Sequence, residues 1–395
     1  MSELGGFLRG VRVLDLSQYI PGPMASLFLA DMGAEVLKIE PPQGDEMQRL
    51  GPRDAEGRPV FYGTMNAGKT VMRMNLKDDA TRALFLEMVC DADVVIEGFR
   101  PGVMKRLGID YPVLKRANPA IILCSISGYG TNASQRSMAG HDANYLAMMG
   151  VLDRNGGDSP AFFDPPVSDV AGSLFAAMII LGALHGRNRT GGGCEIDLAL
   201  ADTVMPLQMM QVADHGANGT VPKRGTTYLN GGAAYYQVYR TGDGRFAVLA
   251  AVEPKFWRAF CGAAGRPDWI ARHDDSFPQQ ALRQEVQDFF SRIDSAEAAD
   301  RFGSVDCCFT LVKDLGEALA GKQVDERRLV RRGPAGDLQA LLPVWINGEP
   351  PASRPATVVA GNSETANGEY ARRASALAGG EPAAESDEAR GKSWP

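Results

Sequence analysis

Short runs of apolar residues alternate with longer apolar or amphipathic segments through the first half of the chain. Runs of this length, rich in Val, Ile and Leu and stopped by Gly or Pro, predict buried strands, and the longer segments predict helices. A strand–helix–strand order predicts parallel pairing within one sheet. The predicted strands are residues 11–16, 35–40, 71–74, 93–97, 120–126 and 195–200, and the predicted helices are 24–32, 80–90, 103–107 and 170–186.

Gly/Pro turns follow four of these strands, after Leu16, Glu40, Glu97 and Ile126. Ligands of open α/β sheets bind beyond the carboxyl ends of the strands. The turns therefore predict a ligand crevice along one edge of the sheet.

The pattern changes at Ala233, where two alternating runs, 235–240 and 246–251, flank a Gly-containing turn. This arrangement predicts an antiparallel hairpin, and Glu253-Pro254 opens a helix after it. We expect a large domain over 1–200 and a small α/β domain over 233–319. Linkers are expected at 201–232 and 320–345, and 346–395 is predicted to return partly to the large domain and to end in a disordered tail.

Composition narrows the class of protein. A net charge of −7 without a long basic run argues against nucleic acid or an anionic membrane as partner. The six cysteines have no disulfide or zinc spacing, the first residues do not form a signal peptide, and no apolar run suggests a membrane span. We therefore expect a soluble cytoplasmic protein.

One nucleotide-binding motif is present by letters. Residues 63–70 match GxxxxGK[ST], but the motif binds phosphate only when its Lys-Thr opens a helix. Here 71–74 predicts a strand instead, so the match is interpreted as chance. The first βαβ unit also lacks GxGxxG, which argues against a dinucleotide site.

His141 and Asp169 are the candidate chemical pair. His141 precedes an apolar run, and Asp169 stands where a long apolar helix is predicted to begin. A weak base and a carboxylate at one place are able to move a proton from carbon or attack a carbonyl. The alternative is that Asp169 is a helix N-cap and His141 a hydrogen-bonded residue at a helix start.

An ordered set of short motifs resembles the class III CoA-transferase and α-methylacyl-CoA racemase superfamily (CaiB/BaiF) over roughly residues 8–335. The most specific is the hexapeptide from Gly140 to Tyr145, Gly-His-Asp-x-Asn-Tyr. The other matching stretches are 13–16 with 21–23, 33–40, 66–69 before 75–77, 97–102, 125–130, 189–191 and Asp202.

The resemblance implies a Rossmann-like large domain, a smaller α/β domain and a homodimer of two chains threaded as interlocked rings. It implies an acyl-CoA thioester as substrate and no cofactor beyond the CoA moiety. The residues that it implies for CoA binding are Gln18, Tyr19, Lys38, Phe99, Arg106 and Tyr129, and those for catalysis are His141, Asp169, Glu253, Asp142 and Tyr145.

The two branches of the superfamily use the aspartate differently. In the racemases it is one of two bases, the other being the histidine of the hexapeptide, and in the transferases it is a nucleophile. The intact hexapeptide and Glu253, which matches a racemase glutamate, favour an acyl-CoA racemase. The residues around Asp169 are closer to the transferases, so a class III CoA-transferase stays the alternative.

The racemase interpretation carries three further expectations. His141 and Asp169 act on opposite faces of a planar enolate. Asp142 or Glu253 orients the imidazole. The peptide N–H groups at the helix start after Asp169 stabilise the enolate oxygen.

Overall fold

The computed structural model describes residues 3–362. Within this range the chain forms twelve strands and fourteen α-helices, with short 3-10 helices between them. The strands are β1 (Arg12–Asp15), β2 (Glu35–Glu40), β3 (Thr70–Arg73), β4 (Val94–Glu97), β5 (Ile122–Ser127), β6 (Glu195–Ala199), β7 (Tyr236–Arg240), β8 (Phe246–Ala250), β9 (Phe309–Leu311), β10 (Val330–Arg332), β11 (Leu338–Ala340) and β12 (Val358–Asn362).

Several helices begin with Pro or an acidic cap and end at Gly, as helix chemistry favours. The helices are α1 (Pro21–Asp31), α2 (Val60–Asn66), α3 (Asp79–Cys90), α4 (Val103–Leu107), α5 (Tyr111–Ala117), α6 (Asp142–Met148), α7 (Val167–Thr190), α8 (Leu200–Thr203), α9 (Met209–Asn218), α10 (Pro254–Ala264), α11 (Gln280–Phe290), α12 (Ser295–Phe302), α13 (Leu315–Leu319) and α14 (Lys322–Glu326).

Seven strands form one parallel sheet in the order β12-β3-β2-β1-β4-β5-β6. The chain moves outward from β1 through β2 and β3, then returns to the other side of β1 with β4. The strand order therefore reverses between β1 and β4. A crevice at such a reversal is the usual ligand position in open α/β sheets.

The chain divides into two compact units. The first contains the residues up to Tyr145, Pro165–Met205 and the described residues from Lys322 on, and it holds the parallel sheet. The second contains Leu146–Asp164 and Pro206–Gly321. The sequence-based division assigns 146–164 to the large domain, whereas the structure groups these residues with the second unit.

Aromatic residues dominate the core of the second unit. Its antiparallel sheet β7-β8-β9 packs with α10, α11 and α12 around a stack of rings, and Trp257, Trp269, Phe260 and Phe290 are fully buried. Each aromatic ring buries a large apolar area, so a few rings supply much of the hydrophobic core of a small domain. The hairpin predicted over 235–251 is confirmed as β7 and β8.

The helix α7 is long and apolar enough to cross a membrane, judged by its length and composition only. Of its most apolar stretch, 44% is buried inside the protein. The core helices of soluble proteins pass the same test. The sequence pattern predicts no apolar run long enough to suggest a membrane span, whereas α7 meets that measure over Val167–Thr190.

The predicted strands and long helices of the first unit are confirmed to within a few residues, and the α/β class with them. The sequence pattern did not predict the strand β12, which pairs with β3 at the edge of the sheet. The predicted disordered tail lies outside the described residues.

An ion pair fastens the returning segment before β12. The guanidinium of Arg354 donates to both carboxylate oxygens of Asp31 in α1, with both distances 2.7 Å, and both side chains are almost completely buried. Replacing Arg354 by Ala leaves a buried carboxylate without its partner. We expect this variant to lose about 3 kcal/mol of unfolding free energy in urea denaturation.

The matched control is Arg301→Ala, which breaks an exposed i,i+4 pair with Glu297. Pairs of that kind contribute below about 0.5 kcal/mol. Equal losses in the two variants would contradict a structural role for Arg354.

Candidate functional site

The loops after β1 and β4, where the strand order reverses, are the first part of the candidate site. Gln18 and Tyr19 lie in the loop after β1, and Phe99 lies in the turn after β4. Tyr19 is half exposed and has a φ of 65°. A non-glycine residue in the left-handed region is strained and is found more often at ligand sites.

Carboxylates at the strand ends hold these loops in place. Asp15, the last residue of β1, accepts a hydrogen bond from the Ser17 N–H at 3.0 Å. Glu97, the last residue of β4, accepts one from the Phe99 N–H at 2.6 Å. In each case the acceptor fixes the first peptide groups of the loop that would face a ligand.

The electrostatic surroundings of the two carboxylates differ. Burial raises the pKa of Asp15, but Lys69, Lys38 and the hydroxyls of Ser17 and Ser26 outweigh burial and lower it below the usual value. Burial raises the pKa of Glu97 to about 6. Hydrogen bonds with Ser125 and Phe99 oppose this rise, and the charges of Asp197 and Glu195 add to it. The turn at Phe99 is thus held by the more easily protonated group.

Lys69, the lysine of the GxxxxGK[ST] match, lies in a buried ion pair. Its Nζ lies 3.3 Å from Asp15 Oδ2 and donates to the Pro23 carbonyl at 2.8 Å, and the side chain is buried. Burial lowers the pKa of Lys69 to about 8, while Asp15 opposes the shift. Thr70 opens β3 rather than a helix, which confirms that the motif has no phosphate-binding geometry.

Lys38 was predicted to help bind CoA, but its ammonium is buried. Only 1% of the residue is exposed, and Nζ lies 2.8 Å from Asp45 Oδ2 and donates to the Ser17 carbonyl at 2.8 Å. A direct contact between Lys38 and a bound CoA is therefore not supported. Sequence reasoning missed this because a strand lysine next to a turn usually points outward.

The remaining residues predicted for CoA binding lie at the same sheet edge. Arg106 is exposed on α4, and its Nη1 lies close to Gly102 in the turn after β4. Tyr129 follows β5 and packs edge-on against Tyr145, with ring centroids 5.2 Å apart. The structure therefore places Gln18, Tyr19, Phe99 and Tyr129 in the loops that follow β1, β4 and β5, and Arg106 on the helix α4 after β4.

The second part of the candidate site lies at the starts of α6 and α7. The carboxylate of Asp142 accepts from the Ser168 N–H at 2.6 Å and from the Asp169 N–H at 3.4 Å. This bond joins residues 26 positions apart and brings the segment containing His141 to Asp169. Asp142 is thus a cap on α7, and the orientation of the imidazole by Asp142 stays a prediction.

The alternative interpretation of Asp169 as an N-cap is wrong. The helix α7 begins at Val167, its N-cap is Pro166, and Asp169 is the third residue of the helix. Burial raises the pKa of Asp169 to about 6, the charge of Asp142 adds to the rise, and His141 opposes it. A half-buried carboxylate with a neighbouring imidazole is suited to proton transfer near neutral pH.

Tyr145 shapes the loop before His141. Its hydroxyl donates to the Gly140 carbonyl at 2.7 Å, and burial raises its pKa to about 12. A Cβ on Gly140 would lie 2.5 Å from the Tyr129 hydroxyl and 2.9 Å from the Tyr145 ring. Glycine is required there because two tyrosine rings enclose the backbone.

The first amides of α7 are already engaged. Ser168 and Asp169 donate to Asp142, and Val170 donates to the Pro166 carbonyl at 3.1 Å. Amides further along the helix bond within it. The expectation that N–H groups after Asp169 stabilise an enolate oxygen is therefore wrong.

Glu253 belongs to the second unit. It is exposed and occupies the N-cap position of α10, where its side chain makes no capping bond. Its carboxylate lies close enough to Cys308 to raise the pKa of that thiol, after the larger effect of burial. Its predicted role toward His141 stays a prediction.

Comparisons with known proteins agree on one family. The family model described as CoA-transferase family III matches residues 8–357. The acetyl-CoA:oxalate CoA-transferase of Acetobacter aceti is 31% identical, over 88% of this chain and 91% of the relative. The α-methylacyl-CoA racemase of Homo sapiens is also 31% identical, over 81% of each chain.

A solved structure supports the same conclusion. The crystal structure of a CaiB/BaiF family protein from Brucella suis superposes with a TM-score of 0.77 at 26% sequence identity. It covers 93% of this chain and 98% of that chain. The resemblance identified from the motifs is thereby confirmed.

The raised pKa of Asp169 predicts how stability depends on pH. A carboxyl whose pKa rises on folding binds its proton more tightly when folded, so its contribution to stability declines as pH rises from about 4 to about 6. Asp169→Asn removes this loss, and we expect a higher Tm than the wild type at pH 8 and a smaller difference at pH 4. Thermal unfolding at both pH values measures this.

Asp158→Asn is the control, because Asp158 is exposed. It is expected to leave the Tm unchanged at both pH values. An Asp169→Asn variant no more stable than the wild type at pH 8 would show that the charged carboxylate of Asp169 does not destabilise the folded protein.

Proposed function

We propose that this chain, which belongs to CoA-transferase family III, is an acyl-CoA racemase. It inverts the configuration at the α-carbon of 2-methylacyl-CoA thioesters, with one base removing the α-proton and a second base delivering a proton. The observation that carries the proposal is the electrostatic proximity of His141 to Asp169. A transferase requires the aspartate, whereas a two-base racemase also requires the neighbouring imidazole.

Inversion at the α-carbon requires two bases, one on each face of the planar enolate. The α-proton of a thioester is weakly acidic, so its removal needs a base held in contact with it. One base takes the proton from the α-carbon, leaving an enolate, and the protonated form of the other delivers a proton to the opposite face. His141 and Asp169 suit these tasks, because burial raises the pKa of Asp169 to about 6, so its carboxyl gains and loses a proton close to neutral pH.

CoA is proposed to bind along the carboxyl ends of β1, β4 and β5. The exposed guanidinium of Arg106 suits a phosphate of the nucleotide, and the Phe99 and Tyr19 rings suit apolar contact. The proposed reaction requires no metal or redox cofactor beyond the CoA moiety. A cytoplasmic location stays an expectation from the cysteine pattern.

A CoA-transferase is the second candidate, because Asp169 also has the properties of a nucleophile. A desolvated carboxylate with a raised pKa attacks a thioester carbonyl more readily than a fully solvated one. In that reaction the carboxylate attacks the thioester carbonyl and expels CoA as a thiolate, which leaves an acyl anhydride. The thiolate then attacks the aspartyl carbonyl of the anhydride, so the donor acid leaves and an enzyme thioester remains. An acceptor carboxylate attacks that thioester in turn, and the expelled CoA thiolate attacks the new acyl group, which leaves as an acyl-CoA and frees the aspartate. His141 has no required step in that sequence.

Proton exchange separates the two reactions. In deuterated water, one enantiomer of a 2-methylacyl-CoA is expected to gain α-deuterium with no acceptor acid present. His141→Ala is expected to lower the exchange rate by about 10²-fold or more, since a general base is removed. Mass spectrometry of the recovered thioester measures the exchange, and His185→Ala, an exposed histidine of α7, is the control.

The opposite result would replace the proposal by the transferase. It consists of no α-deuterium, turnover only with an acceptor acid, and a hydroxylamine-trapped adduct at Asp169. His141→Ala would then retain most of the activity.

We also propose that the protein is a homodimer of interlocked chains. Leu174, Met178 and Ile179 lie on one side of α7 with exposed fractions of 51%, 52% and 44%. In the second unit, Met209 and Met210 of α9 are more than half exposed. Apolar surface of this kind is typical of a protein interface.

Sedimentation equilibrium is expected to show a dimer at micromolar concentration. Met178→Glu places a charge on the exposed side of α7 and is expected to weaken the dimer, because the charge must lose water at an apolar interface. Asn188→Glu adds the same charge to an exposed polar position of the same helix and is expected to have no effect. A stable, fully active monomer of the wild type would contradict the proposal.

A further inference from the structure

Two buried ion pairs lie beneath the loop after β1. Lys38 pairs with Asp45 and Lys69 pairs with Asp15, and each of the four residues is at most 2% exposed. Charged residues are rarely buried so fully, and a buried pair is weak evidence for stability in itself. Their arrangement around one loop points to positioning as their task.

The first pair connects the loop after β1 with the loop after β2. Lys38 Nζ donates to the Ser17 carbonyl at 2.8 Å and lies 2.8 Å from Asp45 Oδ2. Asp45 in turn accepts from the Met47 N–H at 2.9 Å through its other oxygen. The ammonium of Lys38 therefore fixes a carbonyl of one loop relative to a carboxylate of the next.

The second pair holds the same loop from the other side. Asp15 accepts from the Ser17 N–H and from the Ser17 hydroxyl. Lys69 lies against the same carboxylate and donates to the Pro23 carbonyl in α1. Both the N–H and the carbonyl of Ser17 are thus bonded to buried charged groups.

Ser17 leads directly into the two residues expected to meet CoA. Gln18 is half-buried, and Tyr19 is exposed with a φ of 65°. On the inner side α1 leaves Ser17 no room to move, since a Cβ on Gly22 would lie 2.1 Å from the Ser17 Oγ. The strained backbone at Tyr19 persists because Ser17 before it is fixed.

We propose that Lys38 and Asp45 are positioning residues of the acyl-CoA site, acting through the Ser17 carbonyl and without touching the substrate. The proposal rests on the proposed function in that the ligand of the loop is CoA. It assigns to Lys38 a role different from the direct contact implied by the motif resemblance. Loss of the anchor widens the range of loop conformations, so affinity for CoA falls while the chemical step is retained.

The test uses a double variant that removes both charges of the pair and so leaves neither partner buried alone. Lys38→Met with Asp45→Asn removes both members of the pair, and Asn keeps an acceptor for the Met47 N–H. Calorimetric titration with CoA is expected to show a dissociation constant about 10-fold higher than in the wild type. The kcat for α-proton exchange is expected to change less than about threefold, so the effect appears in KM.

The single variants give a second readout that separates positioning from contact. If Lys38 acts through its pair, Asp45→Asn alone also weakens CoA binding, and the double variant binds no worse than the weaker single variant. If Lys38 touches a phosphate, Asp45→Asn leaves affinity unchanged. In that case Lys38→Met also makes CoA binding less dependent on salt, because a phosphate contact is lost.

Lys115→Met, at an exposed lysine of α5, is the matched control and is expected to bind CoA as the wild type does. A double variant with wild-type affinity for CoA and an altered Tm would overturn the proposal, because the pair would then serve stability alone. A wild-type protein that binds no CoA would instead refute the proposed function. The two failures are therefore distinguishable.

Discussion

The carboxylate of Asp15 is the interaction on which the first unit depends. It lies at the end of the central strand, is fully buried and is bonded to Lys69 and to the hydroxyls of Ser17 and Ser26. A buried charge without partners costs several kcal/mol, so the chain must bring all of them together when it folds. In doing so it joins β1, the start of α1 and the approach to β3 at one point below the ligand edge.

Other carboxylates of the strands also anchor loops along this edge. Glu97 bonds the turn after β4, and Asp197 in β6 bonds the Thr131 N–H at 3.0 Å after β5. Each anchor replaces hydrogen bonds that a parallel strand loses where its neighbour ends. The loops are thus ordered in advance of a ligand, which reduces the entropy lost on binding.

The candidate pair, His141 and Asp169, depends on a different anchor. Asp142 accepts the first amides of α7, and its neighbour His141 is thereby held beside Asp169. The arrangement uses the N-terminus of a long helix, where the first N–H groups have no partner within the helix and therefore favour a carboxylate. It also keeps Asp169 partly dry, which raises the pKa of its carboxyl toward the range needed for proton transfer.

The sequence by itself determined the α/β class, most strands of the parallel sheet and the hairpin of the second unit, and it predicted His141 and Asp169 as the candidate pair. These features follow from local periodicity and from short motifs, both of which are written in consecutive residues. Local periodicity also excluded the nucleotide motif correctly, since a strand follows Lys69 rather than a helix.

Only the tertiary structure decided which polar groups are buried and what they bond. Nothing near Lys38 in the sequence shows that its ammonium meets Asp45 and the Ser17 carbonyl, or that Asp142 caps a helix that begins 25 residues later. Such partners lie between 7 and 26 residues apart in the chain, and which of them meet is set by strand order and helix packing. The physical reason is that the cost of a buried charge depends on all of its neighbours in space, whereas periodicity reports only the solvent exposure of single residues.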